Sequence, residues 1–217
     1  MKIFESNKMK EIGSVEFDNR IKRFKSLVID IGTGEGEFVY RKARQNREAM
    51  FIGVDSAAAA MLPYSIKSAK KTDKGGLSNV MYVVANAEAL PDTLYGKADK
   101  IFINLPWGSL RDGIIKGEPG VLKSINKIAK ANASLEICIS YCDFYEKQVI
   151  KERGLPTLSI SYISDKLKYV YNNYGISINK VSVLSNEDLK KMNTKWAKKL
   201  GYGKQREVFY LSCIIKK

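Results

Sequence analysis

The sequence predicts an α/β fold built on a mostly parallel sheet, and two features of its pattern favour this class. Short, nearly continuous apolar runs alternate along the 217 residues with longer stretches of helical periodicity, as is typical of parallel strands buried on both faces. The first of these runs, residues 27–31, leads directly into a cluster of glycines. This indicates a central strand that turns sharply into a helix.

The first two thirds of the chain contain five predicted strands separated by helices. The strands are predicted at residues 27–31, 50–55, 80–84, 100–104 and 135–140. The helices are predicted at residues 37–45, 57–71 and 121–131, with a loop at 72–79. Because Pro63 falls inside the second helix, this helix either begins late, with the proline in its first turn, or is kinked.

The last third is less regular. Helices are predicted at residues 143–153, 164–174 and 186–200, and strands at residues 176–184 and 207–215. Ser164 is the expected cap of the middle helix, and the two strands alternate in polarity as an antiparallel edge pair would. No repeat or long linker divides the chain, so we expect one domain over 1–217, with a basic insertion at about 186–206.

The charge of the chain predicts a polyanionic partner. Lys and Arg number 37 against 23 Asp and Glu, a net charge of +14 at pH 7. A surplus of this size favours nucleic acid over a membrane surface. No apolar stretch approaches the ~18 residues of a membrane span, and the first residues lack the apolar core of a signal peptide. A cytoplasmic protein is therefore expected.

Absent and sparse residue types exclude several kinds of chemistry. The chain has no histidine, which excludes a histidine general base, a Ser-His-Asp triad and a His-ligated zinc site. The three cysteines, Cys138, Cys142 and Cys213, form no Cys-x-x-Cys pair. We expect them to be reduced thiols packed in the core, and no metal site is predicted.

A glycine-rich turn follows the first strand and reads Asp30-Ile-Gly-Thr-Gly-Glu-Gly36. Glycines at such a turn allow positive φ and close approach of a ligand, although a purely structural tight turn has the same pattern. Glu37 occupies the place of the third glycine of the dinucleotide fingerprint, and the lysine of a P-loop is absent. Nicotinamide, flavin and nucleoside triphosphate ligands are therefore disfavoured.

Two further positions indicate which ligand this turn binds. Asp55 ends the second strand, where a carboxylate can accept both hydroxyls of a ribose, and Ala87-Glu88 follows the third strand, where it can face an adenine ring. The acidic Asp30 would repel a pyrophosphate but attract an ammonium group. Together these residues favour S-adenosylmethionine, which has an amine and a sulfonium but no phosphate.

The fourth predicted strand ends in Asn104-Leu-Pro-Trp-Gly108. In an open α/β sheet this position lies at the carboxyl ends of the strands, where ligands bind. A proline followed by the Trp107 ring offers a surface on which a planar base can stack. The alternative is a buried tryptophan that packs a loop.

The second tryptophan, Trp196, lies in a lysine-rich segment. From Lys190 to the C-terminus there are nine basic residues and one acidic residue. An aromatic ring among lysines is typical of backbone clamping combined with base stacking. The alternative is an amphipathic helix with Trp196 on its buried face. Further basic candidates for nucleic-acid contact are Lys67, Lys70, Lys71, Lys74 and Arg153.

These motifs together resemble the aminoglycoside-resistance 16S ribosomal RNA adenine-N1 methyltransferases of the Kam/Npm type. The resemblance extends from about residue 25 to the C-terminus. Its blocks are residues 30–36, 51–55, 74–80, 87–91, 106–108, 153–156 and 196–198. The first two blocks fit any class I methyltransferase, whereas 74–80 and the paired tryptophans are more specific.

The resemblance implies a class I S-adenosylmethionine-dependent methyltransferase with a Rossmann-like, seven-stranded, mostly parallel sheet. It implies methylation of N1 of adenine 1408 in the decoding site of the 30S ribosomal subunit, with aminoglycoside resistance as the consequence. Adenine N1 has an in-plane lone pair in its neutral form, so a chain without histidine can perform this reaction. We expect a monomer, because the basic rim must face the ribosomal surface.

The resemblance also implies roles for individual residues. Trp107 and Trp196 would stack on either side of the target base as the catalytic pair. The implied cofactor-binding residues are Asp30, Gly32, Thr33, Gly34, Phe38, Asp55, Ala87, Glu88, Asn104, Leu105, Pro106, Trp107, Gly108, Ser109, Thr194, Lys195 and Trp196. The implied RNA-binding residues are Lys67, Lys70, Lys71, Lys74, Arg153, Lys198, Lys199, Lys204 and Arg206.

The chain departs from the family pattern at two places. Asn104-Leu105 stands where the family usually has Leu-Phe before the Pro-Trp pair, and Lys199 stands where an arginine often does, which weakens any bidentate phosphate contact. Two alternatives stay open. One is a tRNA (guanine-N7)-methyltransferase, although Gly108-Ser-Leu follows the tryptophan without the basic run expected of that family. The other is a non-catalytic RNA-binding module.

Overall fold

A mixed sheet of nine strands runs through the part of the chain that the computed structural model describes, residues 1–140, 143–192, 197, 202 and 207–217, with only the backbone of 143–145. In chain order the strands are β1 (Lys2–Glu5), β2 (Lys8–Glu11), β3 (Ser26–Ile31), β4 (Ala49–Asp55), β5 (Val80–Val84), β6 (Ala98–Asn104), β7 (Ala129–Ile139), β8 (Ile176–Val183) and β9 (Phe209–Ile215). Their order across the sheet is β2-β1-β5-β4-β3-β6-β7-β9-β8.

The strands from β3 onward form the predicted open, mostly parallel arrangement. The neighbours β5, β4, β3, β6 and β7 are parallel, and β9 lies antiparallel between β7 and β8. The chain order reverses at β3, with β4 on one side and β6 on the other, which creates the topological switch point where such sheets bind ligands. The predicted pairing of the last two strands is confirmed, but β9 is an interior strand.

The predicted number of seven strands is too low, because residues 2–11 add a hairpin to the sheet. Strand β1 pairs with β2 and, through Ile3, with Val83 of β5. Ile3 and Phe4 are buried, whereas all four residues of β2 are exposed. Strands of four residues with so little buried surface leave no clear periodicity in the sequence.

The described residues form eight α-helices. They are α1 (Ser14–Ile21), α2 (Glu37–Gln45), α3 (Leu62–Ser68), α4 (Gly108–Lys116), α5 (Pro119–Ile128), α6 (Asp143–Glu152), α7 (Lys168–Asn172) and α8 (Asn186–Met192). None of them has the length and apolar composition needed to cross a membrane. The C-terminal part of the helix predicted at residues 186–200 lies largely outside the described residues.

At three places the structure shows how the predicted helices begin or end. Pro63 lies in the first turn of α3, after a 3₁₀ turn at Ala58–Met61, which confirms the late start. Helix α5 ends at Ile128, and the next residues begin β7 rather than continuing the helix, because they pair with β6. Ser164 is not a cap, since it lies inside a π-helical turn, Tyr162–Leu167, that continues into α7.

Alternate residues of the strands pack against helices on opposite faces of the sheet. On β3, Leu27 and Ile29 belong to the core shared with α1, α4, α5 and α7, whereas Val28 belongs to the core shared with α2 and α3. Cys138 and Cys213 are buried free thiols, as predicted, and burial raises the pKa of each to about 12. Cys142 lies outside the described residues.

Candidate functional site

A cleft of about 630 Å³ opens at the carboxyl ends of β3, β4, β5 and β6, at the switch point of the sheet. Thirteen of the predicted cofactor-binding residues line it. They are Asp30, Gly32, Thr33, Gly34, Phe38, Asp55, Ala87, Glu88, Asn104, Leu105, Pro106, Trp107 and Ser109. Gly108 lies between the last two as the first residue of α4. The structure therefore brings together segments that are up to about 80 residues apart, as expected for this fold.

Ten further residues of the cleft were missed by the sequence analysis. They are Ile31, Glu35, Glu37, Val54, Ser56, Ala60, Ala85, Asn86, Leu110 and Val121. Most are direct neighbours of the predicted residues and could have been found from the strand ends alone. Leu110 and Val121 are different, because they reach the cleft through the packing of helices α4 and α5. No local sequence motif indicates this packing.

The lining of the cleft is acidic, in contrast to the whole chain. Its described residues include the five carboxylates of Asp30, Glu35, Glu37, Asp55 and Glu88, and neither lysine nor arginine is among them. One of these carboxylates is partly neutralised, because Arg41 Nη2 lies 2.7 Å from Glu37 Oε1. A cleft of this charge favours a cationic ligand and disfavours a phosphate.

Asp55 holds the glycine-rich turn in place. Its Oδ2 accepts a hydrogen bond from the Gly34 amide at 2.8 Å, and its Oδ1 accepts one from the Ala57 amide at 2.9 Å. The predicted ribose-binding carboxylate therefore also has a structural role that the sequence did not reveal. Each of its oxygens keeps a second lone pair with which it can accept a further hydrogen bond.

Gly36 closes the same turn at a position that only glycine fits. Its φ is +80°, and a Cβ atom built there would lie 2.3 Å from the ring of Tyr82. The absence of a side chain lets helix α2 begin directly against β5. The helix start in turn fixes the backbone amides of the turn at the mouth of the cleft.

Asp30 is a buried carboxyl at the end of β3. Only 2% of the residue is exposed, and the Asn104 side-chain amide donates a hydrogen bond to its Oδ1 at 3.0 Å. Burial raises the pKa of Asp30 to about 7, and the nearby Thr33 and Asn104 side chains only partly offset this effect. Near neutral pH this group therefore gains a great deal from a bound cation.

The turn after β6 brings Trp107 to the rim of the cleft. Leu105 has a φ of +52°, a left-handed conformation that is unfavourable for a leucine. Its amide donates to the Cys138 carbonyl at 2.9 Å, and its buried side chain packs with Leu189 and Val208. The surrounding packing stabilises this turn, which leads the chain out of the sheet.

Trp107 is 53% exposed. This contradicts the alternative in which the tryptophan is buried and packs a loop. An exposed indole on the rim of a cleft is what stacking on a planar ligand requires. The other predicted stacking residue, Trp196, lies outside the described residues, as do Thr194 and Lys195.

Four charged residues form a linked group beneath Trp107. The Arg111 guanidinium lies 5.8 Å from the centre of the Trp107 ring and pairs with Asp112 at 3.3 Å and Glu146 at 2.5 Å. Asp112 also pairs with Arg153 at 2.8 Å. Arg111, Asp112 and Glu146 were missed by the sequence analysis, because helices α4 and α6 meet only in the tertiary structure. The Arg153 side chain remains 46% exposed, and its contact with RNA stays a prediction.

The first predicted RNA-binding cluster is on the surface. Lys67, Lys70, Lys71 and Lys74 are exposed on α3 and the turn that follows it. Lys67 Nζ lies 4.9 Å from the centre of the Tyr40 ring, within cation–π range. The second predicted cluster, Lys198, Lys199, Lys204 and Arg206, lies outside the described residues. No group of three or more side chains that could hold a metal ion occurs among the residues that were described.

Comparison with known proteins identifies the family to which this site belongs. Residues 2–215 match the model of the NpmA family, described as 16S rRNA (adenine(1408)-N(1))-methyltransferase. This chain belongs to the NpmA family. A 16S rRNA (adenine(1408)-N(1))-methyltransferase from Escherichia coli is 38% identical over 213 residues, 98% of this chain and 97% of the relative.

Solved structures agree with the assignment to the NpmA family. A variant of the 16S rRNA (adenine(1408)-N(1))-methyltransferase from Catenulisporales acidiphilia, solved with its cosubstrate SAM, superposes with a TM-score of 0.91 at 28% identity over 100% of this chain and 97% of that one. The aminoglycoside resistance methyltransferase NpmB1 superposes with a TM-score of 0.85 at 28% identity, over 99% of this chain and 98% of that one. The tRNA (guanine-N(7)-)-methyltransferase of Ureaplasma parvum is more distant, at 25% identity over 83% of this chain and 86% of its own.

The cleft of this NpmA-family chain fits S-adenosylmethionine. None of the described lysines or arginines forms an ion pair with the buried Asp30 carboxyl, and the buried Thr33 Oγ1 has no hydrogen-bond partner among the described residues. Buried polar groups of this kind are normally satisfied by a partner. An ammonium group and a carboxylate at the glycine-rich turn are suitable partners for these two side chains.

Proposed function

We propose that this chain is an S-adenosylmethionine-dependent methyltransferase that modifies N1 of adenine 1408 in 16S rRNA and thereby gives resistance to aminoglycosides. The main support is the combination of an acidic cofactor cleft with an exposed tryptophan at its rim. The substrate is the 30S subunit, and the enzyme acts as a monomer in the cytoplasm, where these subunits are found.

The acidic end of the cleft binds the cofactor. Asp30 binds the ammonium group, and Asp55 accepts hydrogen bonds from the ribose hydroxyls while it continues to hold the Gly34 amide. Ala87 and Glu88, in the 3₁₀ turn that follows β5, would contact the adenine ring. The bound cofactor supplies a methyl group from its sulfonium centre. The carboxylates of the cleft favour this cationic group over a neutral or anionic one.

The aromatic rim binds the target base after it has left the RNA helix. Trp107 stacks on one face of the adenine and Trp196 on the other. Neutral adenine N1 already has a lone pair, so the chain need not remove a proton before the reaction. The indole faces also stabilise the positive charge that develops on the base, by roughly 0.5–2 kcal/mol each.

The basic surface binds the ribosome. Lys67, Lys70, Lys71 and Lys74 are exposed together on and after α3, and Arg153 is the most exposed member of the charged group beneath Trp107. We assign Lys198, Lys199, Lys204 and Arg206, in a basic insertion at about 186–206 of a single domain, to the same surface. Lysines and arginines that neutralise phosphates supply affinity, whereas the cleft selects the base.

Primer extension on 16S rRNA tests the proposed function. Purified 30S subunits are incubated with the protein and S-adenosylmethionine, and reverse transcription should stop beside adenine 1408, because N1 methylation blocks base pairing. Reactions without cofactor and reactions with protein-free 16S rRNA are the controls. Incorporation of labelled methyl groups into tRNA without a stop at 1408 would instead support the guanine-N7 alternative. Absence of cofactor binding would support the non-catalytic alternative.

A further inference from the structure

The orientation of the Asn104 side chain is fixed by Asp30. Asn104 Nδ2 donates a hydrogen bond to Asp30 Oδ1 at 3.0 Å. When a cationic ammonium group pairs with Asp30, the carboxylate is held in its ionised form. An ionised carboxylate only accepts hydrogen bonds, so the asparagine turns its amino group toward it. The carbonyl oxygen, Oδ1, is on the other side of the same planar amide. Asp30 therefore determines where this acceptor points.

The Asn104 carbonyl oxygen is available to a ligand. It accepts no hydrogen bond from any residue that the structure describes, and Asn104 is half-buried in the wall of the cleft. Pro106 and the exposed Trp107 come after Asn104 in the chain, beyond the left-handed turn at Leu105. The acceptor thus lies between the acidic cofactor end and the stacking surface.

We propose that Asn104 reads the target base by accepting a hydrogen bond from the N6 amino group of adenine. This inference rests on the proposed function. Flipped bases are selected by hydrogen bonds to their Watson–Crick edge, and N6 is adjacent to N1 on that edge. Asparagine is also a side chain that commonly pairs with adenine. A base that stacks on Trp107 with N1 toward the cofactor brings N6 into the neighbourhood of Asn104.

The same contact discriminates against guanine. Guanine has a carbonyl oxygen at position 6, so two acceptors would face each other and Asn104 could not rotate without leaving Asp30 unpaired. An unmatched polar group in a site of this kind is strongly disfavoured.

The test compares binding of two forms of the 30S subunit, one with adenine and one with guanine at position 1408. The protein is saturated with S-adenosylhomocysteine, which cannot transfer a methyl group, and the ratio of the two dissociation constants is measured. We expect the wild-type chain to prefer the adenine form by roughly tenfold or more. Asn104→Leu, which keeps the shape and removes the acceptor, should reduce this ratio by about three- to tenfold.

The ratio of the two dissociation constants distinguishes recognition of the base by Asn104 from the effect of Asn104 on Asp30. Any effect of Asn104→Leu on folding or on cofactor affinity acts equally on both subunit forms and cancels. Asn86→Leu is the matched control, since Asn86 lies in the same cleft at the end of β5 and should not alter the ratio even if cofactor affinity falls.

Three results would overturn the inference. They are a wild-type chain that binds both subunit forms equally, an unchanged ratio in Asn104→Leu, and an equal loss of preference in Asn86→Leu. If the wild-type protein gave no stop at position 1408 in the primer-extension experiment, the proposed function would fail instead. The two failures are therefore distinguishable.

Discussion

At the scale of single residues, Asp30 makes cofactor binding dependent on pH. Burial raises the pKa of Asp30 to about 7, so below pH 7 the carboxyl is protonated and cannot pair with an ammonium group. We expect the affinity for S-adenosylmethionine to fall by about tenfold for each pH unit below 7. Asp30→Asn should bind about 10- to 100-fold more weakly at pH 8 and lose this pH dependence. Titration calorimetry between pH 6 and pH 8 measures both effects.

The stability of the ligand-free protein gives an independent check on Asp30. In the unfolded chain this group ionises at about pH 3.9, so between pH 4 and pH 7 the folded state keeps a proton that the unfolded state has lost. Its contribution to stability therefore falls as the pH rises through this window. Without cofactor, Asp30→Asn should be more stable than wild type at pH 8, by about 2–4 kcal/mol, and nearly equal to it at pH 4. If Asp30→Asn and the wild type were equally stable at both pH 4 and pH 8, the raised pKa of Asp30 would be contradicted.

Trp107 is expected to contribute to catalysis rather than to stability. Because the side chain is 53% exposed, Trp107→Ala should change the free energy of unfolding by no more than about 0.5 kcal/mol. Loss of base stacking should lower kcat/KM for 30S methylation by about 10- to 100-fold. Trp107→Phe keeps an aromatic ring, so its kcat/KM should lie between the values of the wild type and of Trp107→Ala. An equal loss of cofactor affinity in calorimetry would argue against a stacking role.

At the scale of elements, the junction between β3 and α2 depends on two glycines that differ in their surroundings. Both have positive φ, but a Cβ at Gly36 would lie 2.3 Å from Tyr82, whereas nothing lies within 4 Å of one at Gly34. Gly34→Ala should cost about 1 kcal/mol from the backbone alone. Gly36→Ala should cost about 2–4 kcal/mol, because the steric clash adds to it. Denaturant unfolding without cofactor measures the difference, and equal losses would show that the clash is relieved.

Helix α4, which begins next to Trp107, is anchored at its other end by two tyrosines. The Tyr171 hydroxyl donates to the Ile114 carbonyl and the Tyr162 hydroxyl to the Ile115 carbonyl, both at 2.9 Å. These carbonyls lie in the last turn of the helix, where intrahelical donors are lacking. Tyr171→Phe should lower the free energy of unfolding by about 1–3 kcal/mol, since it leaves a buried acceptor unpaired.

Tyr169→Phe is the matched control for this anchor. Tyr169 lies on the same helix, α7, but is 75% exposed, so its hydroxyl is solvated in both the folded and unfolded states. Its removal should leave the denaturation midpoint unchanged. A similar loss in both variants would mean that the buried hydrogen bond does not stabilise the end of α4.

At the scale of the whole molecule, the net charge of +14 should make ribosome binding strongly dependent on salt. Lys70 and Lys71 are exposed next to α3. Lys70→Gln/Lys71→Gln should weaken binding to 30S subunits and reduce the slope of log K against log salt by roughly 1.5, as loss of two phosphate contacts predicts. Filter binding across a range of potassium concentrations measures this slope.

A second pair of lysines controls for charge alone. Lys123 and Lys127 are exposed on α5, which packs on the face of the sheet opposite α3. Lys123→Gln/Lys127→Gln changes the net charge by the same amount and should alter the slope much less. Equal effects of the two double variants would indicate that general electrostatic attraction, rather than a defined surface, binds the subunit.

The central sheet and the cofactor end of the cleft could be predicted from the amino-acid sequence alone. Strands β3, β4 and β5 are nearly continuous apolar runs. The residues that follow β3, β4, β5 and β6 become neighbours once these four strands are parallel and adjacent. Asp30, Asp55, Glu88 and Asn104 could therefore be placed in one site from local patterns. The exposed stacking role of Trp107 was one of two alternatives until the exposure of its ring was known.

Features that depend on contacts between distant segments could not be predicted from the sequence. The hairpin of β1 and β2 is too short to show a period, and its place on the sheet edge comes from pairing with β5. The ion pairs of Arg111 join α4 to α6, and the Asp30 carboxyl acquires its raised pKa and its Asn104 partner only when β3 and β6 lie side by side. Desolvation and hydrogen-bond direction arise from packing in three dimensions, whereas strand periodicity and turn residues are local properties that a sequence displays directly.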